Sequence, residues 1–206
     1  MTAPTVEPGL RERKKVATRR ALHDAALRLA MEHGAERVTV EAIADEAGVS
    51  RRTFSNYFAN KEEALLHGDR ERMQALIAIV RARPAGEDPW QALTAAAEEF
   101  YRHLGVLDPE LVARGRLVRS LPTLVAAQVQ MFAALELEIE AAVAARTPPP
   151  PGAAQPDRWG VRARLTAATF MAALRVALNV WLDRPPGTPL IAIVRASLAE
   201  AGRGFA

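Results

Sequence analysis

Residues Thr39–Phe58 read TVEAIADEAGVSRRTFSNYF, and the fold is decided there. A short helix follows Thr39, covering Val40–Ala47, and Gly48 ends it. Ser50 caps a second helix, Arg51–Phe58. The link Gly48-Val49-Ser50 has the length and the glycine of a helix-turn-helix turn. Ile43, Ala44 and Ala47 form the inner face of the leading helix, and its small alanines let the next helix come close. In that next helix Phe54 and Phe58 set the buried direction, so Arg52, Ser55 and Asn56 face outward. Thr53 and Tyr57 lie on one flank and Arg51 on the other. Such an outward face suits base edges: arginine can hold guanine O6 and N7 together, asparagine can hold adenine, and serine serves either. The hydroxyls of Thr53 and Tyr57, with Lys61 at the start of the following helix, suit phosphates, which fix orientation. The competing reading is a helical hairpin whose polar face is only wet.

Charge weighs against that alternative. Between Leu10 and Arg20 stand Arg11, Arg13, Lys14, Lys15, Arg19 and Arg20 against the single Glu12, in a chain whose net charge is only +3. Cations are disfavoured at a helix N-terminus, so the cluster calls for a partner outside the helix. Nucleic acid and an anionic membrane surface both qualify, and a plain solvated helix start is the bland alternative.

The rest of the 206 residues, 50% hydrophobic and 25% charged, has the composition of a folded protein. Cysteine is absent, which excludes disulfides, thiolate metal sites and cysteine nucleophiles. The longest uncharged run, Ser120–Leu135, is shorter than the roughly 18 to 20 apolar residues of a membrane span. With no secretory leader visible, a cytoplasmic location is expected and no membrane partner. Alanine, leucine, glutamate and arginine dominate after Leu10, and no stretch alternates with the period of a strand, so the class is all-α.

About nine helices are expected after a tail over Met1–Gly9. The first covers Arg11–His33 and is closed by Gly34. A capping box of Asn60 and Glu63 opens a long fourth helix reaching about Arg83. Asp88-Pro89, Asp108-Pro109 and Thr188-Pro189 each place a cap before a proline at the first helical position. Another helix runs from Pro122 to about Arg146, the proline-rich segment Thr147–Pro156 is a loop, and the helix after it spans about Asp157–Asp183. Two domains follow, 1–59 and 60–206.

The segment from about Arg11 to Leu66 resembles the DNA-binding domain of the TetR family of bacterial transcriptional regulators. The resemblance rests on the amphipathic first helix and on Thr39-Val40, Ile43-Ala44, Ala47-Gly48-Val49-Ser50, Arg51, Thr53-Phe54, Tyr57-Phe58, Asn60-Lys61-Glu62 and Leu65. It implies that Arg51, Arg52 and Ser55 read bases, beside the outward Asn56, and that Thr39, Thr53, Tyr57 and Lys61 contact phosphates. Arg52 and Ser55 depart from the small residue or proline and the tyrosine common at those positions, which bears on the operator sequence. The resemblance further implies a C-terminal helical domain that dimerises and holds a small-molecule effector. The expected activity is that of a homodimeric repressor released from a palindromic double-stranded DNA operator.

Beyond the motif the chain is less explicit. Leu165–Trp181 is apolar almost all round, and paired with Leu190–Leu198 it makes half of a four-helix bundle across a two-fold axis. A homodimer through about 158–183 and 188–201 is therefore expected, the alternative being an internal core helix of a monomer. Leu76, Trp90, Phe100, Met131 and Phe170, with His103 as the orienting polar group, are candidate pocket residues for a hydrophobic or aromatic effector. Such stripes are more often plain core. No nucleophile elbow, phosphate loop or paired metal-ligand spacing occurs, and the four histidines are scattered. No catalysis, cofactor or metal is expected. The remaining alternatives are an activator, an effector-independent regulator, and a ligand- or membrane-surface-binding helical protein that never reads DNA.

Overall fold

The computed structural model describes residues 9–103, 109–146, 156–185 and 187–203, without the side chains of 103, 109, 110 and 156–159. The described residues form nine helices and no strand. They are α1 (Leu10–His33), α2 (Val40–Glu46), α3 (Arg51–Ser55), α4 (Lys61–Ala82), α5 (Pro89–His103), α6 (Pro109–Ser120), α7 (Pro122–Ala144), α8 (Pro156–Leu182) and α9 (Leu190–Gly202). The helix count and most starts follow from the caps. Asp88 accepts from the amides of Trp90 and Gln91 at 2.9 and 3.2 Å, as a cap before Pro89 requires. The Asn60 side chain accepts from Glu63 N at 2.8 Å, while Glu63 accepts from Ala59 N at 2.8 Å, one residue beyond the Asn60 amide that a full capping box would use.

Three ends differ from expectation. α3 stops at Ser55 rather than Phe58, with Asn56 as its C-cap. α9 starts at Leu190, because Thr188 is drawn back to the preceding turn: its hydroxyl donates to Pro185 O and its carbonyl accepts from the Trp181 indole. α7 ends at Ala144, which frees Arg146 to donate to the carbonyls of Val80, Pro84 and Arg83 at 2.5, 2.7 and 3.0 Å. A guanidinium there satisfies orphan acceptors at the end of α4 and complements its dipole.

The chain divides into two compact units, one running to Gly68 and taking in Leu121–Ala127, the other comprising Asp69–Ser120 and Gln128–Ala206. The division lies inside α4 rather than at 59/60, since the first turns of α4 belong to the packing of α1. Ala64, Leu65 and Leu66 are buried, His23 Nδ1 donates to Ala64 O at 2.7 Å, and the His67 ring meets Phe58 edge-on at 5.3 Å. In this first unit α1 packs on α2 and α2 on α3, around Leu22, Ala26, Ile43, Ala44 and Phe54.

In the second unit α9 lies along α8, and both meet α5. Leu76, Ile77, Leu93, Phe170, Val194 and Leu198 are fully buried in its core. Gly202 passes so close to Trp90 that a Cβ there would lie 2.2 Å from the indole nitrogen. α8 is less enclosed than its sequence suggests: it buries Ala163, Ala167, Phe170, Leu174 and Ala177 but exposes Val161, Leu165 and Val176. The uncharged-run criterion also overlooks it, because Arg175 interrupts a stretch, Gly160–Leu182, that is long and apolar enough to cross a membrane. With 44% of that apolar window buried and Arg162 and Arg164 on the same helix, α8 is accounted for as a core helix.

Candidate functional site

The helix-turn-helix is built from local rules. Thr39 Oγ1 accepts from Ala42 N at 3.1 Å, capping α2, and Ser50 Oγ accepts from Thr53 N at 3.0 Å, capping α3. Gly48 sits between them at φ +67°, where a side chain is strained, and its turn is closed by Val49 N donating to Ala44 O at 2.9 Å. Phe54 and Phe58 turn inward, at 1% and 3% exposure, with their rings 5.8 Å apart. Arg51, Arg52, Ser55 and Asn56 are all exposed, and Thr53 and Tyr57 are half-buried at the flank. Only five residues of α3 are helical, yet the outward set is the one the wheel selects, because the Asn56–Phe58 turn continues the same sense of rotation.

Electrostatics distinguish the two arginines. Arg51 is paired with Glu41 at 3.1 Å, both side chains largely exposed, so the pair is weak and releasable. Among the described residues no ion pair or hydrogen bond engages the Arg52 side chain, leaving its five donors free. Thr53 Oγ1 lies 2.9 Å from Ser50 Oγ, which orients both hydroxyls. Arg19 positions Tyr57 from below: its guanidinium donates to Tyr57 O at 3.4 Å and lies over the Tyr57 and Phe58 rings at 5.9 and 5.8 Å.

Beside this face runs a shallow groove lined by Leu10, Arg11, Lys14, Lys15, Thr53, Asn56 and Tyr57. The basic cluster of α1 is thus brought to the flank of α3. In the sequence the cluster signals an anionic partner, and its members stand outside the expected site residues. Their spacing of three and four residues, one face of α1, is the signal that finds them.

Lys61 has a different place from the phosphate-contacting one. Its ammonium donates to Ala35 O, Glu36 O and Val38 O at 2.9, 3.2 and 2.9 Å, committing all three hydrogens to the α1–α2 connection. Replacement by methionine is expected to lower the stability of the first unit by about 1 to 3 kcal/mol, read as a lower thermal midpoint. An unchanged midpoint with a salt dependence of DNA binding flattened by about one unit would instead mark it as a phosphate contact.

A separate cavity lies wholly within the second unit. Its volume is about 90 Å³, and it opens to solvent. Met73, Phe100, Leu111, Phe132, Leu178 and Leu182 supply apolar wall; Asp69, Arg72, Arg119, Gln128, Arg175 and Asn179 supply polar groups. Of the expected pocket residues whose side chains are described, only Phe100 is among its walls. Leu76 and Phe170 are fully buried core, Trp90 meets Phe170 edge-on at 6.4 Å, and Met131 packs on the same core. The His103 side chain lies outside the described residues. Asp69 is ion-paired with Arg72 and with Arg114, the latter at 3.5 Å, and Arg119 with Asp183 at 2.8 Å. Burial pushes the Tyr101 hydroxyl up to about 12, so the phenol at the cavity wall is a neutral donor.

Known proteins share both parts. Residues 22–67 match the family described as bacterial regulatory proteins, tetR family, and residues 87–206 match the MftR C-terminal domain. The HTH-type transcriptional regulator TcmR of Streptomyces glaucescens is 37% identical over 186 residues, which is 86% of this chain and 78% of that protein. A solved SmeT–triclosan complex is similar in fold, with a TM-score of 0.57, 23% identity and 91% of each chain covered. Thermus thermophilus FadR, a repressor solved with lauroyl-CoA, is similar with a TM-score of 0.54, 23% identity and 91% and 95% of the two chains covered.

Proposed function

The chain belongs to the TetR family of bacterial regulatory proteins and is a DNA-binding transcriptional regulator, and from that premise we propose a homodimeric cytoplasmic repressor released from a palindromic operator by a small hydrophobic or aromatic effector. One observation carries the DNA half of the proposal: Arg52, Ser55 and Asn56 form an exposed polar face directly over buried Phe54, with Arg11, Lys14 and Lys15 beside it. In this reading Arg51, Arg52, Ser55 and Asn56 read base edges in the major groove. Thr39, Thr53 and Tyr57 hold phosphates, and the α1 cations extend that hold along the backbone. Thr39 uses acceptor capacity on its cap and keeps its hydroxyl hydrogen for a phosphate oxygen, and with Ser50 donating in the bond between the two hydroxyls Thr53 keeps its own.

The dimer is assigned to α8 and α9. Exposed Val161, Leu165 and Val176 on α8, with exposed Ala192, Ala196 and Ala199 on α9, support it, since an apolar outer face on two adjacent helices is suited to an isologous four-helix contact. Two-fold symmetry then sets the two recognition helices about 34 to 36 Å apart, one turn of DNA. Coupling to the effector runs through α4, one continuous helix that carries the Lys61 clamp at one end and cavity-lining Asp69, Arg72 and Met73 further along. Release requires that the effector bind the DNA-incompetent arrangement more tightly, since equal affinity for both arrangements shifts nothing.

The test of base reading is Arg52→Ala, compared on the preferred operator and on random duplex at one salt concentration. The expected loss is about 1 to 3 kcal/mol on the operator alone, with relaxed preference at one base position in each half-site. An equal loss on random duplex would assign Arg52 to the phosphates.

A further inference from the structure

The cavity of the second unit carries more chemical information than an apolar effector uses. Of its four formally charged wall residues three are arginines and one is Asp69. Asp69 is already matched by Arg72 and Arg114, and Arg119 by Asp183. Arg175 has no ion pair or hydrogen bond among the described residues, and it stands at the exposed side of the wall. The cavity therefore has a surplus positive charge with a free planar donor set. Independently, Tyr101 is 6% exposed, lines the same cavity, and its hydroxyl is hydrogen-bonded by no described protein group; among the described residues its ring neighbour is Phe100, edge-on at 5.1 Å. That hydroxyl is not one of the fully enclosed polar atoms of the protein, so water reaches it from the cavity, and a ligand oxygen would take that water's place. Met73, Phe132 and Leu178 offer apolar wall to the body of a ligand held by these two groups.

Resting on the effector reading above, we propose that the effector is an amphipathic organic acid: an apolar, ring-containing body whose ionised carboxylate or phenolate is held by Arg175, and one of whose neutral oxygens accepts from Tyr101. Arg175 supplies specificity for the acid over its neutral analogue, because a charge-assisted bond to guanidinium has no counterpart in a neutral ligand. Tyr101 supplies orientation inside the cavity. It stays protonated at neutral pH, so it selects an acceptor rather than a cation.

The full-length protein is titrated with two fluorescent probes that share a body and differ in charge, 1-anilinonaphthalene-8-sulfonate and neutral N-phenyl-1-naphthylamine. The anion is expected to bind about tenfold more tightly, and Arg175→Gln to remove that preference while leaving the neutral probe unchanged. Arg164→Gln, an exposed arginine of α8 away from the cavity walls, should leave both titrations unchanged. Tyr101→Phe should weaken both probes only slightly, and should weaken a ketone-bearing naphthoic acid several-fold. Leu178→Trp, which fills the cavity, should abolish binding of both probes; thermal melts verify that each variant is folded. Equal affinities for the two probes, unaffected by Arg175→Gln but abolished by Leu178→Trp, would overturn the acid while keeping the effector cavity. Probe binding that survives Leu178→Trp would overturn the effector reading itself, and the acid with it.

Discussion

Phe54→Ala is expected to destabilise the first unit by about 3 to 5 kcal/mol and to abolish operator binding. Phe54 is 1% exposed and is among the largest fully buried side chains of the protein. It is the inward anchor of a helix of only five residues, too short to persist without tertiary packing. Its ring holds α3 against α2 and meets Phe58, which in turn meets His67. Removing it leaves a cavity that this small unit has little means of closing, and frees the outward face to reorient. The measurement is a thermal melt followed by helicity together with operator binding. The second unit, with its own core, should keep its helical signal. A cooperative melt unchanged in midpoint, with operator affinity intact, would show that α3 is held by something other than this ring.

The second large effect concerns salt. Arg11→Gln, Lys14→Gln and Lys15→Gln in one variant removes three exposed cations from the α1 side of the groove, six in a dimer. Each phosphate contact contributes about −0.9 to the slope of log affinity against log salt concentration, so the slope should flatten by about five units. The loss of affinity should be greatest at low salt and equal on operator and random duplex, because backbone contacts carry no sequence information. All three side chains are exposed, so the melt should be unchanged. A slope identical to that of the unsubstituted protein would place the α1 cluster off the DNA and return it to solvent or to an anionic surface.

Much of the fold is legible because its elements are marked by residues with one local use. Asp88 before Pro89, Ser50 before Arg51 and Gly48 at positive φ announce their roles from chemistry alone. The recognition face is equally legible, since Phe54 and Phe58 fix its inward direction and so its outward one. Where the reading falls short, the missing information is tertiary. Lys61 looks like any exposed lysine at a helix start, and nothing local reveals that three carbonyls converge on it from twenty-three to twenty-six residues away. The division of α4 at Gly68 goes with the burial of Ala64, Leu65 and Leu66 and with His67 meeting Phe58, which are contacts between elements. The cavity is hidden for a related reason. Periodicity identifies an inward face, and Leu76 and Phe170 are inward, but whether facing side chains meet or leave space depends on how helices pack. Its polar groups are obscured too, because Arg175 and Asn179 read as breaks in an apolar stripe rather than as members of a wall.

The central claim is that the α3 face reads a two-fold symmetric sequence. It is tested most directly by selecting bound duplexes from a random DNA pool with the purified protein in the presence of competitor DNA. The expected result is recovery of an inverted repeat with half-sites about one helical turn apart, and loss of preference at one position per half-site when the selection is repeated with Arg52→Ala. Recovery of no sequence, with retention falling uniformly as salt rises and anionic vesicles bound as tightly as duplex, would contradict it.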